Sequence, residues 1–466
     1  HLEQLRNSGN SVKERLVWFL HTHLPVRRTI VPQSENLYYQ NALFRHYAFG
    51  NFKELFRKVC VDNAMLIFID NATNDVDSPN ENFAREMFEL YSIGRGTQVS
   101  EGNYTNYTED DIKAATRVLT GYEVDDTFAN IDPDTGIPSG KLIVRLEGAT
   151  EIADRHDAGQ KQFSAAFQNH AIEPSALVGG QATKEAAEAE LDEMIDMIFD
   201  QDETARFISR KLYRFFVYYE ITDEVESQVI EPLASVFRNN NYSLETTVRT
   251  LLSSVHFFDQ DNAVTTDDNK GAIIKSPVEI VLNTCNLFDV SFPTDPSALY
   301  ETVYQEGLIE AIDYQGLMLY EPYDVAGYAA YFQFPNYNRN WITPYSLAYR
   351  YQFADLLING VNNGGDPLGI QLDILDWVEN SGHIPDPSDA EALVQSLISW
   401  MFPYPLNEDR LNFFLTDVFL DSLYPSAWTM EWDNYQSEPG TYEATVRSRL
   451  EILLRALIQS PEYQLL

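Results

Sequence analysis

Residues 80–94 read NENFAREMFELYSIG, and this stretch shows most plainly that the chain is built from helices. Ser78, Pro79 and Glu81 stand at the positions of an N-cap, a first helical residue and a capping-box acid. Apolar residues then recur along one side of the segment. The pattern predicts an amphipathic helix over 79–93, with one face buried and another charged.

Helical periodicity recurs along most of the chain, whereas the alternation typical of β-strands is scarce. The best strand candidate is KLIVRL at 141–146. The sequence therefore predicts a mainly α protein, a multi-helix body with a long, partly irregular insertion and few short strands. Helices are predicted over 12–24, 38–69, 79–93, 108–121, 183–200, 202–220, 226–238, 243–257, 276–288, 341–359, 388–401, 408–421 and 442–459.

Changes in composition divide the chain into four predicted parts. Polar stretches that contain Gly and Pro, at 122–180, 259–275 and 360–388, are expected to be insertions or boundaries. The predicted parts are an N-terminal helical part at 1–121, an irregular insertion at 122–180, a helical core at 181–275 and a C-terminal helical lobe with an aromatic-rich segment at 276–466.

Composition indicates a folded and strongly acidic protein. Of its 466 residues, 44% are hydrophobic and 13% aromatic, which is ample for a core, and 71 acidic residues against 32 basic ones give a net charge of −39. Such a charge repels phosphate backbones and anionic lipids, so we expect no nucleic-acid partner. No apolar run is long enough for a transmembrane segment. We expect the acidity to serve solubility in a salty or extracellular setting.

Two glutamates of the predicted 79–93 helix are candidates for a polar site. Glu86 and Glu89 lie about one turn apart, and such a site would need further side chains from elsewhere in the chain. The alternative is that the acidic residues of this helix only cap it and form exposed ion pairs, each worth roughly a few tenths of a kcal/mol.

A basic row is unusual in so acidic a chain. Arg206, Arg210 and Arg214 recur at spacing four on the predicted 202–220 helix. Because guanidinium groups bind carboxylates in bidentate pairs, we expect this row to form interior ion pairs with Glu81, Glu86 or Glu89. The alternative is an anion site for a carboxylate, sulfate or phosphate group of a substrate.

Three histidines and one glutamate are candidate metal ligands: His21, His23, His156 and Glu86. In an extended or kinked turn the His-x-His spacing is common among ligands, and imidazoles with a carboxylate suit zinc or another first-row transition metal. The alternative is that the histidines satisfy a polar core, since the sequence lacks a His-Glu-x-x-His pattern.

Oxygen-rich stretches raise calcium as a different divalent metal. Residues 70–80 hold three aspartates and three asparagines, and 132–136 reads DPDTG, which resembles part of a calcium loop. Neither stretch completes an EF-hand. Ordinary turns, which aspartate and asparagine favour, are the alternative.

Aromatic residues are dense between 320 and 353 and alternate there with asparagines and an arginine. Aromatic rings can stack on sugar rings while amides bind hydroxyl groups, so Tyr328, Tyr337 and Trp341 are candidate glycan contacts. An aromatic core or a surface for a partner protein would have the same composition.

Several ordered blocks of the sequence together carry a family resemblance. They are WFLHTH at 18–23, DN at 70–71, the 80–94 stretch, YTEDDI at 107–112, RVLTGY at 117–122, HD at 156–157, TARFISRKL at 204–212, KSP at 275–277, EPYDVAGY at 321–328 and SPEY at 460–463. These blocks resemble the bacterial family called domain of unknown function 1800. The resemblance implies an exported protein, periplasmic, at the cell surface or extracellular, often encoded beside a second exported family and without a settled reaction. The family generally carries a further helical stretch before the first block, so we expect chain before His1.

Two hypotheses of function follow. The first is a noncatalytic subunit of a cell-envelope or extracellular assembly, with protein partners. The second is a metal-assisted hydrolase that acts on an extracellular polymer or an anionic ester. No nucleophile elbow, Walker loop or dinucleotide fingerprint is present. For the hydrolase, the candidate catalytic residues are Glu86, Glu89, Asp157 and Arg210, and the candidate metal ligands are His21, His23, Glu86 and His156.

Overall fold

The computed structural model describes residues 1–7, 11–258, 273–360, 362–363, 366–367 and 370–466. More than half of the described residues are helical, which confirms the predicted mainly α class. Of the predicted boundary at 259–275, residues 259–272 lie outside the described residues. The chain forms two compact units. The first comprises His1, Ser8–Asp261 and Tyr320–Phe332, and the second comprises Leu2–Asn7, Asn262–Leu319 and Gln333–Leu466.

Side-chain caps begin several helices of the first unit. The Asn51 side chain accepts hydrogen bonds from two backbone N–H groups, and Thr108 forms a capping box with Asp111. These caps explain why a sequence with many polar residues still starts its helices at defined points. The α-helices are Lys13–His23, Ser34–Tyr47, Phe52–Val59, Asn63–Phe68, Asn82–Glu86, Glu109–Val118, Lys184–Phe199, Asp202–Phe216, Asp223–Val225, Glu231–Asn239, Leu244–Leu252, Val255–Phe258 and Ala329–Phe332, with 3₁₀ turns at Asn71–Thr73 and Ala165–Phe167 and π-helices at Met87–Ser92 and Glu226–Ile230.

Aromatic side chains form part of the core of the first unit. Phe52 contacts Phe56, Phe199 and Phe237, with ring centroids 6.1–6.2 Å apart. Tyr242 packs edge-on against Phe199 at 5.0 Å. These rings join helices that are far apart in sequence, because offset and edge-on aromatic contacts bury much apolar area at a single point.

The predicted irregular insertion contains short hairpins rather than a continuous sheet. The strand candidate at 141–146 is confirmed as two successive strands, each paired antiparallel with a different partner. Its two-residue to four-residue strands expose one or both faces, which fits the polar composition of 122–180. The hairpins of the first unit pair Gln98–Ser100 with Asn103–Tyr104, Tyr122–Glu123 with Lys141–Leu142, Val144–Glu147 with Thr150–Ala153, Lys161–Gln162 with Ala171–Ile172, and Leu177–Val178 with Gln181–Ala182.

The acidic helix begins later than predicted. Ser78 closes a turn in which its backbone N–H donates to the Asp75 side chain, so it does not cap a helix. The α-helix starts at Asn82, whose backbone N–H donates to the Asn80 side chain at 3.0 Å. The helix then widens into a π-helix over Met87–Ser92. Prediction failed at the start because Asp75 and Asn80 accept hydrogen bonds from the backbone ahead of the helix and hold it in turns as far as Asn82.

The second unit is also helical, and its core includes Trp428 and one face of the helix Pro439–Ile458. The sequence prediction missed the helical residues 298–314, 374–380 and 425–437. A further hairpin pairs Asn362–Asn363 with Asp366–Pro367. The α-helices are Leu2–Arg6, Pro277–Leu287, Ile309–Tyr314, Pro344–Asn359, Ile374–Asn380, Ala390–Met401, Glu408–Asn412, Pro425–Ser437 and Pro439–Ile458, with π-helices at Ala298–Leu308 and Phe413–Phe419 and 3₁₀ turns at Tyr337–Trp341 and Glu462–Gln464.

No helix within the described ranges is both long enough and apolar enough to cross a membrane. Cys60 and Cys285 are buried free thiols.

Candidate functional site

Both histidines of the first sequence block are buried near the end of the helix Lys13–His23. The His21 ring lies against the rings of Trp18 and Tyr320, with centroids 5.2 and 4.3 Å away. Neither ring nitrogen of His21 has a hydrogen-bond partner among the residues that the structure describes. Burial lowers the pKa of His21 to about 3, so the ring is neutral at physiological pH.

His23 connects this helix to the π-helical segment. Its Nε2 lies 3.0 Å from the backbone carbonyl of Tyr91, so the N–H of the neutral ring is on Nε2 and donates to that oxygen. Burial, with a smaller effect from Lys211, lowers the pKa of His23 to about 3. The Nδ1 atom is buried and has no partner within the described part of the chain. His23 therefore holds the π-helix in place as a neutral side chain.

The segment Tyr320–Phe332 covers the same region of the first unit. Arg27 donates to the Pro322 carbonyl, and the Tyr91 hydroxyl donates to the Val325 carbonyl at 3.0 Å. Gly327 has φ of +98°, and a Cβ there would lie 2.7 Å from the Thr22 carbonyl oxygen. Only glycine allows so close an approach to the histidine-bearing helix, which explains the glycine of the EPYDVAGY block.

Glu86 is the most unusual ionisable group of this region. Its side chain is half-buried, and within the described residues it makes no hydrogen bond or ion pair. Burial, with smaller contributions from the nearby carboxylates of Glu89 and Asp324, raises the pKa of Glu86 to about 7. At neutral pH this carboxyl group exists in comparable amounts of its acid and carboxylate forms.

Glu89, one turn further on, is held differently. Its carboxylate forms an ion pair with Arg95 and accepts a hydrogen bond from the Tyr107 hydroxyl at 3.4 Å. Asp62 offers a second contrast, because burial raises its pKa to about 7 as well, yet its carboxylate caps a helix and binds the Gln40 amide. Asp62 has a structural role, whereas Glu86 has no structural partner.

Lys211 lies near enough to His23 for its charge to lower the pKa of that histidine. Burial lowers the pKa of the Lys211 ammonium to about 8, with a smaller contribution from Arg214. The ammonium lies 5.3 Å from the ring centroid of Phe207. The same ring leaves no space for a Cβ at Gly94, which would lie 2.7 Å from it. Lys211 is thus a second group of this region whose pKa is shifted toward neutrality. We refer to Glu86, Glu89, Tyr91, Asp324, His23 and Lys211 as the Glu86 site.

The structure does not gather the predicted metal ligands into one centre. His156 lies in a separate buried network, where its Nε2 is 3.1 Å from a Glu190 oxygen and its Nδ1 is 3.1 Å from the Thr120 carbonyl. Over the described ranges no group of three or more His, Cys, Asp or Glu side chains is arranged to hold a metal ion. The reason is that His21 and His23 face apolar and aromatic neighbours, which sequence spacing does not reveal.

Asp157, a predicted catalytic residue, belongs to the network of His156. Its carboxylate forms a bidentate pair with Arg117, with distances of 2.7 and 2.9 Å. The guanidinium of Arg117 and two backbone contacts lower the pKa of Asp157 against the opposing effect of burial. Asp157 therefore joins the RVLTGY block to the HD block and lies apart from Glu86.

The predicted pairing of the basic row with the acidic helix is wrong for Arg206 and Arg210. Arg210 binds Glu203, on its own helix, at 2.5 Å, and Glu226 in bonds of 2.6–3.0 Å. Arg206 pairs with Glu231 at 2.8 Å. The chain folds back on itself directly after this helix, and the returning segment carries Glu226 and Glu231. These carboxylates, and not those of the acidic helix, therefore pair with the two arginines.

In each oxygen-rich stretch an aspartate side chain accepts hydrogen bonds from the backbone of its own turn. Asp132 accepts hydrogen bonds from the backbone N–H groups of Asp134 and Thr135 and contacts the Lys58 ammonium. Asp75 accepts from two backbone N–H groups in the same way. These are the turns that aspartate favours.

Two of the three aromatic residues predicted to contact glycans are buried. Tyr328, in the first unit, and Trp341, in the second, are each 5% exposed, and Tyr337 is partly exposed. Tyr323 is instead 93% exposed.

Sequence reasoning found Glu86 and Glu89 and missed Tyr91, Asp324 and Lys211. Asp324 lies in the EPYDVAGY block and Lys211 in the TARFISRKL block. Their place in these blocks was the one feature of the sequence that could have indicated a role in the site. Nothing local to Lys211 indicated a buried ammonium, since it stands in a row of exposed-looking basic residues.

A family model described as "Protein of unknown function (DUF1800)" matches residues 1–465. No curated protein and no solved structure matches the chain. Because the match covers all but the last residue, the chain belongs to the DUF1800 family.

Proposed function

We propose that this protein is a hydrolase whose Glu86 transfers protons as a general acid and base. The observation that carries the proposal is the unpartnered carboxyl group of Glu86, with a pKa of about 7. A general acid–base catalyst works best when its pKa lies near the working pH. The candidate substrates are those named from the sequence, an extracellular polymer or an anionic ester.

The surroundings of Glu86 support a role in chemistry over one in stability. A half-buried carboxyl group without a partner destabilises a fold, and such groups are retained mostly where function needs them. The next residue begins a π-helix, a form of helix that is frequent at functional sites. The two neighbouring carboxylates, Glu89 and Asp324, favour the protonated form of Glu86.

The chemistry requires only protein groups and water. In its acid form Glu86 donates a proton to the leaving oxygen of an ester or glycosidic bond, and as a carboxylate it accepts a proton from the attacking water. Glu89 is fixed by Arg95 and supplies negative charge. Lys211, with its pKa lowered to about 8, supplies a positive charge that can be withdrawn near neutrality.

A panel of chromogenic esters and glycosides tests the proposal. We expect hydrolysis by the wild-type protein, with a rate that depends on a group of pKa about 7, and a loss of about 100-fold or more in Glu86→Gln. Glu81→Gln is the matched control, because Glu81 forms an exposed ion pair with Arg85 on the same helix. If Glu86→Gln hydrolyses every cleaved substrate as fast as the control, Glu86 is not the catalyst.

A noncatalytic subunit of a cell-envelope assembly is the second candidate, and the exposure of Tyr323 favours it. This ring is 93% exposed, while Arg27 holds the adjoining backbone through the carbonyls of Pro322 and Tyr323. An exposed aromatic side chain on a fixed backbone suits a protein interface. Crosslinking in the native cells should then yield a complex of the wild-type protein with a partner. The Glu86→Gln variant should form the same complex, and the Tyr323→Ser variant should not. Fractionation of those cells would test export.

A further inference from the structure

Three ionisable side chains are buried together, apart from the Glu86 site. Lys161 is 0% exposed, Glu190 1% and His156 4%. Lys161 lies on the strand Lys161–Gln162, and Glu190 lies on the helix Lys184–Phe199. Lysine and glutamate are almost never fully buried without a specific reason.

The contacts place an amine, a carboxyl group and an imidazole around one point. The Lys161 Nζ atom contacts both the Glu190 Oε2 atom and the backbone carbonyl of Asp157. The His156 Nε2 atom lies 3.1 Å from the same Glu190 oxygen and 3.4 Å from Lys161 Nζ. The second Glu190 oxygen, Oε1, is buried without a partner within the described residues.

Burial at this point disfavours the charged form of Lys161. Burial lowers the pKa of the Lys161 ammonium although Glu190 opposes that change. Transfer of the ammonium proton to the contacting carboxylate would leave a neutral amine beside a carboxylic acid, with no buried charge on either group. A neutral amine is a nucleophile, and a neutral carboxyl carbon is its acceptor.

We propose that Lys161 and Glu190 join in an intramolecular isopeptide bond. Lys161 Nζ attacks the Glu190 Cδ atom and forms an N–C bond, the C–OH bond of the carboxylic acid breaks, and one water molecule leaves. No oxidant, cofactor or second substrate takes part. The buried position aids the reaction because the reacting groups are held in contact and the surroundings exclude bulk water.

His156 is the positioning and proton-carrying residue of this reaction. The Thr120 carbonyl can only accept a hydrogen bond, so the Nδ1–H group of His156 donates to it, and the Nε2 atom faces Lys161 and Glu190. It takes the proton that Lys161 Nζ loses on attack and delivers it to the Glu190 oxygen that leaves as water. Its distances of 3.1 and 3.4 Å to the two atoms suit both transfers.

The bond would fasten the hairpin insertion to a helix of the first unit. Lys161 follows the HD block, and Glu190 is in the middle of the helix Lys184–Phe199. A covalent link closes the intervening chain into a ring and so restricts the unfolded state, as a disulfide does. The chain has two buried free cysteines and no disulfide among its described residues, so this link would supply the covalent constraint.

Intact mass spectrometry of the full chain tests the proposal directly. We expect a mass lower than that of the sequence by one water, about 18 Da. Proteolysis should then release a branched peptide in which Lys161 is joined to Glu190. The full sequence mass, unchanged after prolonged incubation at neutral pH, would overturn the proposal, and so would a loss of water that maps to another pair of residues.

Variants separate the reaction from ordinary ion pairing. Lys161→Met should have the full sequence mass, and His156→Gln should form the bond more slowly, so that freshly made protein contains the unlinked form. Lys58→Met is the matched control: Lys58 also contacts a carboxylate, that of Asp132, but at a partly exposed site. It should lose water as the wild type does. Complete water loss in Lys161→Met would also refute the assignment.

Discussion

The replacement Glu86→Gln should make the protein more stable at alkaline pH and leave its stability unchanged at acidic pH. The pKa of Glu86 rises in the fold from its ordinary 4.5 to about 7. Below about pH 4.5 the group is protonated in both the folded and the unfolded states and has no effect. As the pH rises to about 7, the unfolded state releases the proton while the folded state retains it, so the free energy of unfolding falls. Glutamine keeps the shape and cannot ionise.

The expected size follows from the same pKa. An increase from 4.5 to about 7 is worth about 3 kcal/mol if nothing screens the group. Glu86 is only half-buried, and solvent screening reduces this to about 1–2 kcal/mol. Urea unfolding at about pH 5 and about pH 8 should therefore show Glu86→Gln gaining about 1–2 kcal/mol relative to wild type between the two conditions.

Glu81→Gln is the matched control, because it removes a carboxylate from a part-exposed ion pair with Arg85 at the start of the same helix. It should change the free energy of unfolding by under about 1 kcal/mol at both pH values. Equal effects of the Glu86 variant at both pH values would refute the conclusion that the fold raises this pKa. The basis of the proposed acid–base function would then be lost.

Three further replacements test other parts of the structure by denaturant unfolding. Arg210→Ala should destabilise by about 1–3 kcal/mol because two part-buried carboxylates lose their partner, whereas Arg249→Ala, at an exposed pair, should cost under about 1 kcal/mol; equal losses would place Arg210 on the surface. Gly94→Ala should cost more than Gly148→Ala, although both have positive φ, because only the first Cβ meets a ring, at 2.7 Å. Lys211→Met should be stabilising at about pH 7, and the gain should vanish as the pH rises from about 8 to about 10.5, because the lowered pKa makes the folded state release its proton first; a gain independent of pH would contradict this.

The sequence alone determined the class of the fold and most of its helices. Helical periodicity, caps and breaks in composition are local properties, and they predicted the helices Lys184–Phe199 and Asp202–Phe216 within a few residues. The blocks also indicated the family, and Glu86 and Glu89 as candidates. Such prediction failed at the start of the acidic helix. The Asn80 side chain accepts a hydrogen bond from the backbone N–H of Asn82, and the helix begins there and not at residue 79.

Only the tertiary structure decided which charged groups have partners. Arg210 pairs with Glu226 because the chain turns back after its helix, and Glu86 acquires its unusual pKa from burial and from Asp324, 238 residues away in the sequence. The same holds for His21 and His23, whose spacing suggested a metal until packing placed them among aromatic rings. Ion pairing and desolvation depend on distances of a few ångströms between segments, and no pattern within one segment contains those distances.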